Sequence, residues 1–520
     1  MINLVFWNKH KDKNKSKSEC LTYPDDQSGA GNINSSLSKN IELFMNIFRD
    51  EDTFIVRNIE SQYNKSIKCS VLFMEEMVDT SIINDNILRP VLQNDSLKSS
   101  GDTIAQLQNM VINAGHIHKS PDISILTHSI LKGNTVLLLE GSSEALIIGS
   151  IGVKGRAIEE PEAEKVVRGP REGFTEQIMT NLSLLRKRLE TTDLKFRFMT
   201  VGVKSRTRIC LCYMNSIVNP KILKELEDRI NSIKIDSILA SGYISDLIKD
   251  APLSPFRTVG STERPDIVVG KILEGRIAVI VDGTPVALTV PYLFLEYFQA
   301  NEDYYINFYF SSVSRILRIL GFILTVCVPA VYVALMTFHQ EMIPTPLLIS
   351  ISAARQGVPF PTIVETLLLL MVFEILIETG TRMPTNIGQA LSIVGALVLG
   401  QASVEAKIVS APIVIVVAIS GITSLMIPKM QGPALILRVV FLALSAFMGF
   451  YGLIFGITGA ILHLCEIRSF GVPYLLYLTS MEPKDLKDTL IRAPLWYMNY
   501  RPKLLSQNNK LRQSKGKEKK

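Results

Sequence analysis

Long runs without a charged residue are the feature that most restricts what this 520-residue chain can fold into. A helix needs roughly 20 residues to cross a hydrocarbon core about 30 Å thick, because each residue adds about 1.5 Å. Inside lipid the backbone must satisfy its own hydrogen bonds, so such runs form helices. Four runs reach this length: 319–338, 383–404, 408–428 and 439–465. They predict a polytopic α-helical membrane domain over 311–480.

The chain before residue 311 is different, since charged residues recur there every few positions. Strand-like apolar runs alternate with helical patterns, which favours an α/β or α+β architecture. Glu140-Gly141 and Asp282-Gly283 each separate two apolar runs and predict hairpin turns. The whole pattern occurs once before about residue 155 and again after about 190. We therefore expect a large soluble N-terminal region of two subdomains, 41–157 and 177–310.

Both ends of the chain are basic. Segment 1–40 has five lysines at alternate positions from Lys9 to Lys17, and its Ser/Asn-rich composition predicts a disordered arm. Segment 481–520 is a basic tail, with seven Lys or Arg residues after position 502 against the single Glu518. The positive-inside rule places both ends on the cytoplasmic side. Membrane lipid is the expected partner of these ends and nucleic acid is not, because no aromatic residues are interleaved with the lysines.

Patterns that carry catalysis or bind metal are absent from the sequence. The six cysteines are scattered without a Cys-x-x-Cys pair, and the six histidines lack ligand spacing. Neither a phosphate-binding loop nor a nucleophile elbow occurs. We expect no metal, no cofactor and no enzymatic activity.

Segment 158–176 joins the two predicted subdomains. It begins with four acidic residues, and its Gly-Pro and Glu-Gly pairs interrupt regular structure. One interpretation is an ordered connector whose Arg and Glu side chains pair locally. The other is a docking or hinge loop that reports the state of a partner. The candidate coupling residues are Arg168, Gly169, Pro170, Arg171 and Glu172.

Segment 362–380 is apolar but carries the carboxylates Glu365, Glu374 and Glu378. At 3.6 residues per turn, Glu374, Glu378 and Arg382 share one face of a helix, and Glu365 lies roughly opposite. A charge at the bilayer centre costs on the order of 3 kcal/mol, which argues against full lipid exposure. We expect an amphipathic interfacial helix or a pore-lining helix in an oligomer. A Glu378–Arg382 pair that only holds the helix in place is the third possibility.

Glycines recur along the last predicted span, 439–465. Gly452 and Gly456 match the small-xxx-small spacing of closely packed membrane helices, so we expect tight helix packing or self-association. The four predicted spans bring the C-terminus back to the side of the N-terminus, as the two basic ends require.

Several long strings resemble a known family. They are VKGR at 153–156, EEPE at 159–162, VRGPREGFTE at 167–176, IPTPLLISISAARQGVPFP at 343–361 and IGQALSIVGALVLGQA at 387–402. These strings resemble the signatures of the A subunits of GerA-type spore germination receptors, and the resemblance runs from roughly 50 to 500. A SpoVAF-type relative within the same family shares them, so both subfamilies stay open.

The resemblance implies a multi-pass subunit of a nutrient receptor in the inner membrane of a bacterial spore. In that family an A subunit works with a transporter-like B subunit and a lipoprotein C subunit. A subunits assemble into homo-oligomers that are thought to form nutrient-gated cation channels. We therefore expect a subunit that forms or gates a cation channel. The alternatives are a non-conducting scaffold for the B and C partners and a secondary transporter, although the sequence lacks the internal repeat typical of transporters.

Overall fold

The computed structural model describes residues 31–60, 68–93, 103–152, 159–161, 163–382, 400–476, 488, 491–498, 501 and 511–512. Along the chain they form two five-stranded sheets with their helices and then a block of long apolar helices. The soluble α/β region and the helical region that follows it agree with the prediction. Most of the predicted arm 1–40, of the predicted span 383–404 and of the tail 481–520 lies outside the described residues.

The first sheet is antiparallel throughout, with strand order β1-β2-β4-β5-β3. Its strands are β1 (Phe54–Glu60), β2 (Lys68–Met74), β3 (Ile117–Ser120), β4 (Thr135–Leu139) and β5 (Ala145–Ile148). Its helices are α1 (Leu37–Ile47), α2 (Thr80–Ile82), α3 (Arg89–Gln93), α4 (Thr103–Gln106) and α5 (Ile123–Leu131). Side chains alternate along each strand, so α1 and α5 cover one face of the sheet, and α3 and α4 cover the other. The predicted turn at Glu140-Gly141 joins β4 to β5 and is confirmed.

The second sheet has the order β6-β7-β9-β10-β8, which repeats the arrangement of the first. Its strands are β6 (Leu194–Val201), β7 (Thr207–Met214), β8 (Gly260–Thr262), β9 (Ile277–Val281) and β10 (Ala287–Val290). Its helices are α6 (Ile178–Arg188), α7 (Pro220–Ser232), α8 (Ser241–Ile248) and α9 (Pro265–Leu273). Helices α6 and α9 pack on one face, and α7 and α8 on the other. The repeated strand order supports the prediction of two subdomains, and the Asp282-Gly283 turn between β9 and β10 is confirmed.

A buried charge cluster joins the two subdomains. The guanidinium of Arg186 in α6 lies 2.9 Å from a carboxylate oxygen of Glu51 and 3.4 Å from one of Glu76. All three side chains are at most 1% exposed. Beside them the backbone of Asp52 donates to the carbonyl of Phe196 at 3.1 Å. Because the buried guanidinium of Arg186 in the second subdomain is balanced by carboxylates of the first, this cluster couples the folding of the two subdomains.

In the part of the helical block that the structure describes there are five α-helices, besides a short helical stretch at 400–405. They are α10 (Phe308–Thr337), α11 (Thr345–Ala354), α12 (Thr362–Arg382), α13 (Ala411–Ser424) and α14 (Gln431–Glu466). Among the described residues, α10 and the stretch Pro428–Glu466 are long and apolar enough to cross a membrane. The helix predicted at 362–380 is confirmed as α12. The run 408–428 gives the shorter α13, whose 14 residues extend about 21 Å.

Helix α14 is a hairpin of two arms, 431–448 and 450–466. Gly449 between them has φ 58° and ψ −137°, a conformation outside the helical region. A straight helix of 36 residues would be about 54 Å long, yet Met430 and Leu464, near its two ends, belong to one hydrophobic cluster. The single crossing predicted over 439–465 is corrected to these two arms. Sequence periodicity missed the reversal because one glycine makes it without any polar turn residue.

Contacts between aromatic rings define the two ends of the helical bundle. At the base, next to the second subdomain, the rings of Phe298 and Phe322 lie 5.8 Å apart. At the far end, the ring of His339 lies 5.0 Å from Phe450, just after the hairpin turn. Helix α13 runs antiparallel to α10, and the hydroxyls of Thr325 and Thr423 are 2.8 Å apart. All chain segments that connect the bundle to the second sheet therefore meet at its base.

Candidate functional site

The three carboxylates of α12 occupy three different environments. Glu365 is fully buried near the far end of the bundle. Its carboxylate accepts hydrogen bonds from the backbone amide of Ser410 at 3.2 Å and from the Ser410 hydroxyl at 2.9 Å. The guanidinium of Arg355 lies 3.4 Å away. Glu365 thus holds α12 to the loop before α13, and its charge is balanced within the chain.

Glu374 belongs to a polar tie that joins four helices. Its carboxylate pairs with Arg438 of the first arm of α14, whose side chain is 2% exposed. Arg438 also donates to the hydroxyl of Ser420 in α13 at 3.2 Å. That hydroxyl in turn donates to the backbone carbonyl of Thr325 in α10 at 2.8 Å. Because hydrogen bonds to charged groups are strong in apolar surroundings, this chain of contacts fixes the helix register.

Glu378 lies one turn further along α12 and faces outward. Its carboxylate is 2.5 Å from the guanidinium of Arg382, and both side chains are mostly exposed. The helix face that leads to this pair is apolar and exposed, and consists of Val364, Leu367, Leu368, Met371 and Ile375. The face shared by Glu374, Glu378 and Arg382 in the sequence pattern is therefore divided: Glu374 turns toward Arg438, and Glu378 and Arg382 point away from the bundle.

The loop of candidate coupling residues lies against the second subdomain. Arg168 is exposed, whereas the carbonyl of Pro170 accepts a hydrogen bond from Arg264 at 2.6 Å. Gly169 has φ 137°, and a Cβ added there would lie 2.9 Å from the ring of Tyr305. Only glycine fits this conformation and this approach. The loop is thus held by contacts on both sides of Gly169.

Arg171 and Glu172 make local ion pairs. Arg171 lies 3.9 Å from Glu160, and Glu172 lies 2.6 Å from Arg188 of α6. The side chains of Arg171 and Glu172 are half to three-quarters exposed, and pairs of this kind contribute at most about 1 kcal/mol. Their geometry fits the interpretation of an ordered connector, and the docking role stays a prediction.

Glu164, earlier in the connector, bridges the second sheet and the base of the bundle. One oxygen of its carboxylate lies 2.7 Å from the ammonium group of Lys429, in the turn before α14. The other oxygen accepts from the hydroxyl of Thr262 at 2.5 Å. The amide of Val167 donates to the carboxylate of Glu302, close to the start of α10. The connector therefore contacts the segment before α10 and the turn before α14, which are the two segments that lead from the base into the bundle.

A cavity of about 650 Å³ lies at this junction. Its walls are the connector, α9, the segment between β10 and α10, and the turn before α14. Charges of both signs line it, including Glu164, Asp266, Lys271, Arg318 and Lys429. Most of these groups already have partners in the chain. The cavity therefore lies between the soluble region and the base of the bundle.

Asp303 fixes the first turns of α10 to the segment before it. Its carboxylate lies 2.9 Å from Arg315 and 2.8 Å from Arg318. Burial by itself raises the pKa of Asp303, but the hydrogen bonds from Arg318 and Arg315 outweigh it and lower the pKa below its usual value. Arg315 also lies 2.9 Å from Asp488 of the C-terminal segment. These ion pairs thus fix the start of α10 both to the segment that precedes it and to the C-terminal segment that follows α14.

Gly452 and Gly456 lie where the two arms of α14 touch. A Cβ on Gly452 would come within 2.1 Å of the carbonyl oxygen of Leu444. One on Gly456 would come within 3.0 Å of the ring of Phe441. The small residues therefore allow close packing within one chain, between the arms of the hairpin.

Sequence reasoning missed Arg438, Arg355 and Ser410, the partners of the α12 carboxylates. Arg438 directly precedes the charge-free run 439–465, and an ionisable residue in that position was a signal for a charge partner within the apolar helices. Within the described part of the chain, no group of three or more His, Cys, Asp or Glu side chains could hold a metal ion.

Comparison with known proteins places these features in one family. The profile of the Bacillus/Clostridium GerA spore germination protein family matches residues 42–504. Spore germination protein KA of Bacillus subtilis is 42% identical over 485 residues, which cover 93% of this chain and 89% of the relative. Spore germination protein GerLA of Bacillus cereus is 35% identical over 440 residues, covering 84% of this chain and 89% of the relative.

A solved structure also resembles part of the chain. It is the N-terminal domain of the A subunit of the Bacillus megaterium spore germinant receptor GerK3, with 31% identity and a TM-score of 0.40. The likeness covers 51% of this chain and 97% of that one. Because the family profile spans nearly the whole described chain and the relatives align over most of their length, this chain belongs to the GerA family of spore germination proteins.

Proposed function

We propose that this chain is the A subunit of a nutrient-responsive spore germination receptor and that it forms or gates an oligomeric cation channel in the spore inner membrane. Family membership and the names of its relatives, which are spore germination proteins, support the receptor role. The proposal assigns no enzymatic chemistry and no cofactor to the chain.

We propose a multi-pass arrangement in which both chain ends lie on the cytoplasmic side, the core side of the spore. It is supported by the common base at which α10 enters the bundle and the second arm of α14 leaves it. Met430, Leu464 and Ile467 share a hydrophobic cluster with the second subdomain at that base. The even number of passes that this requires agrees with the basic composition of both ends.

The channel proposal depends on Glu378, the carboxylate of α12 that points away from the bundle. Glu378 is exposed at the end of an apolar exposed face, and its side chain makes an ion pair with Arg382, one turn along the same helix. In an oligomer that turns this face toward a central axis, Glu378 of each copy would contribute to a ring at the pore mouth. Rings of carboxylates attract cations. Glu365 and Glu374, which pair inside the chain, would instead hold the helix that carries the ring.

The proposed partners are a transporter-like B subunit, a lipoprotein C subunit and further copies of the same chain, as in the receptors of the family. In this arrangement the connector at Arg168 to Glu172 transmits the state of a partner to the base of the bundle. The contact from Glu164 to Lys429 supports that route, because it joins the connector directly to the turn before α14.

Potassium flux from liposomes tests the channel proposal. The purified chain is reconstituted alone and with its B and C subunits, with and without nutrient. We expect Glu378→Gln to lower flux, because it removes the charge that concentrates cations without breaking the Glu374–Arg438 tie. Glu374→Gln combined with Glu378→Gln should lower it further. Glu341→Gln, an exposed carboxylate outside α12, is the matched control.

A non-conducting scaffold is the second candidate function. The pairing of Glu365 and Glu374 within the chain favours it, since paired carboxylates hold helices together without any need for a lumen. Absence of flux in the presence of both partners, with intact assembly, would identify the scaffold. Flux that Glu378→Gln leaves unchanged would remove the carboxylate from the conduction path.

A further inference from the structure

The cavity between the second subdomain and the base of the bundle, which we call the junction cavity, has the size of a ligand site. Its volume is about 650 Å³, and small-molecule sites in proteins occupy roughly 300–1,000 Å³. Its walls combine charged side chains with tyrosine rings. The groups that line it therefore decide which class of ligand it can hold.

The acidic residues of the lining are engaged within the chain. Their carboxylates are those of Glu164, Asp266, Glu274, Glu296 and Glu302, which contact Lys429, Arg264, Arg276, Lys271 and the backbone amide of Val167, in that order. These contacts neutralise most of the negative charge at the cavity wall. The described acidic lining therefore disfavours a cationic ligand.

Three donors of the lining have no partner in the part of the chain that the structure describes. They are the hydroxyl of Tyr292, the ammonium group of Lys165 and the guanidinium of Arg512. They belong to three separate segments: the segment between β10 and α10, the connector, and the C-terminal segment. Two of these three donors are cations, so together they favour a ligand that is an anion.

Tyr292 is the most buried of these donors, with 7% of its surface exposed. Its ring packs edge-to-face against that of Tyr297, with 5.2 Å between the ring centroids. Its backbone amide donates to the hydroxyl of Ser469 at 3.1 Å, which fixes the residue further. Burial raises the pKa of the Tyr292 hydroxyl well above its usual value, so the group remains a neutral donor. Because buried polar groups are normally hydrogen-bonded, this hydroxyl indicates a missing acceptor.

Hydrogen bonds of the C-terminal segment hold Arg512 beside the cavity. Arg501 donates to the backbone carbonyl of Leu273, at the end of α9, at 2.8 Å. Its guanidinium also donates to the carbonyl of Leu511, the residue before Arg512, at 2.5 Å. Lys165 is exposed and lies at the rim of the cavity. A buried neutral donor and two cations thus converge on one space.

Helix α9 leaves open space on the wall of the cavity. Gly270 of this helix lines the cavity, and a Cβ added there would meet nothing within 4 Å. A longer side chain at this position would therefore extend into the cavity and occupy it.

We propose that the junction cavity binds a small organic anion, whose carboxylate or phosphate group is held by Tyr292, Lys165 and Arg512. The ligand is organic because the cavity is much larger than one such group and has tyrosine rings in its walls. When bound, it joins the connector to the C-terminal segment at the base of the bundle. The site goes beyond the channel proposal, since it concerns binding and does not require conduction.

Thermal unfolding and isothermal titration calorimetry of the purified full-length chain in detergent test this site. The probes are citrate, succinate and AMP, with orthophosphate as an anion that lacks an organic part. We expect at least one organic anion to raise the thermal midpoint in a saturable manner, and potassium chloride of equal ionic strength to have no such effect. Orthophosphate should bind more weakly than that anion.

Variants of the lining locate the binding. Tyr292→Phe removes a hydroxyl without a partner, so it should leave the thermal midpoint of the free protein unchanged and raise the Kd about tenfold. Lys165→Gln combined with Arg512→Gln should weaken binding further, because both cations are lost. Gly270→Leu should abolish binding by filling the cavity. Lys39→Gln, which changes an exposed lysine of α1, is the matched control and should bind as the wild type does.

Several results would overturn the proposal. One is the absence of saturable binding for all four anions. Another is equal binding by the wild type, Tyr292→Phe and Gly270→Leu, which would place the anion elsewhere. Stabilisation by phosphatidylglycerol in nanodiscs, without an effect of any soluble anion, would assign the cavity to a lipid headgroup instead. Because binding is measured without flux, its failure leaves the channel proposal intact, and a lack of potassium flux leaves the site intact.

Discussion

The buried cluster of Glu51, Glu76 and Arg186 predicts a specific dependence of stability on pH. Burial raises the pKa of Glu76 from its ordinary value of 4.5 to about 7, and the nearby Glu51 carboxylate adds to the rise, while Arg186 opposes it. Near the cluster, Lys195 donates to the backbone carbonyl of Arg49, and burial lowers the pKa of its ammonium group. The folded state therefore binds a proton at Glu76 at pH values where the unfolded chain has released it.

The sign and size of the effect follow from that difference. Between pH 4.5 and 7 the folded state holds more protons than the unfolded state at this site, so stability falls as pH rises. The pKa of Glu76 differs by about 2.5 between the folded and unfolded states, at roughly 1.4 kcal/mol for each pH unit. The free energy of unfolding therefore falls by about 3 kcal/mol, and the fall is complete above pH 7. Glu76→Gln keeps a neutral side chain of the same shape and removes this contribution. The variant should be more stable than the wild type at pH 8, by up to about 3 kcal/mol, and equal to it near pH 4.5.

Pulse proteolysis of the detergent-solubilised full chain across a urea series measures this difference for the soluble region. Glu75→Gln is the matched control, because the neighbouring Glu75 is exposed and should show the pH profile of the wild type. A Glu76→Gln variant that is several kcal/mol less stable than the wild type at pH 8 would refute the reasoning. That outcome would mean that Arg186 requires both ionised carboxylates.

The hairpin and the polar tie of the bundle give further predictions, each measured as the thermal midpoint of the purified full-length protein in detergent. Gly449→Ala should destabilise the bundle by at least 1–3 kcal/mol, since alanine does not adopt this backbone conformation; Gly459→Ala, in the same helix with open space around it, should have little effect. Gly452→Ala should also destabilise it, because the added methyl group would meet the carbonyl of Leu444. Arg438→Met should cost about 1–3 kcal/mol by leaving the partly buried Glu374 without its cation, and adding Glu374→Leu should restore most of the loss. A double variant no more stable than Arg438→Met would show that the pair does not act as a unit.

The division of the chain could be predicted from the sequence because it depends on local properties. A bilayer sets a minimum length for an apolar helix, so the long charge-free runs after residue 318 predicted a block of apolar helices distinct from the α/β region before it. Glu140-Gly141 and Asp282-Gly283 predicted their turns because a hairpin turn of this kind needs glycine at a positive φ. The connector was recognisable from its Gly-Pro pair, since proline and glycine interrupt helices and strands in any context.

The partners of the α12 carboxylates were decided by the tertiary structure alone. Glu374 and Arg438 are 64 positions apart, and Glu365 and Ser410 are 45 apart, so no helical or strand periodicity relates them. Helical spacing put Glu374 and Glu378 on one face, but packing against α13 and α14 turned the first inward and left the second outside. A lone charge in an apolar helix indicates that a partner is needed, because burying it unpaired is costly. It does not indicate which residue that partner is.

The chain reversal at Gly449 is likewise a feature that sequence patterns did not predict. The two arms on either side of the turn are equally apolar, so the sequence pattern of 439–465 predicts one helix. The backbone angles of Gly449 and the contacts of Gly452 and Gly456 across the arms reveal two. By itself, the sequence determined which segments form long apolar helices, through length and charge. Which of them turn back, and which charges meet inside, depended on distances between residues far apart in the chain, and these exist only once the helices have packed.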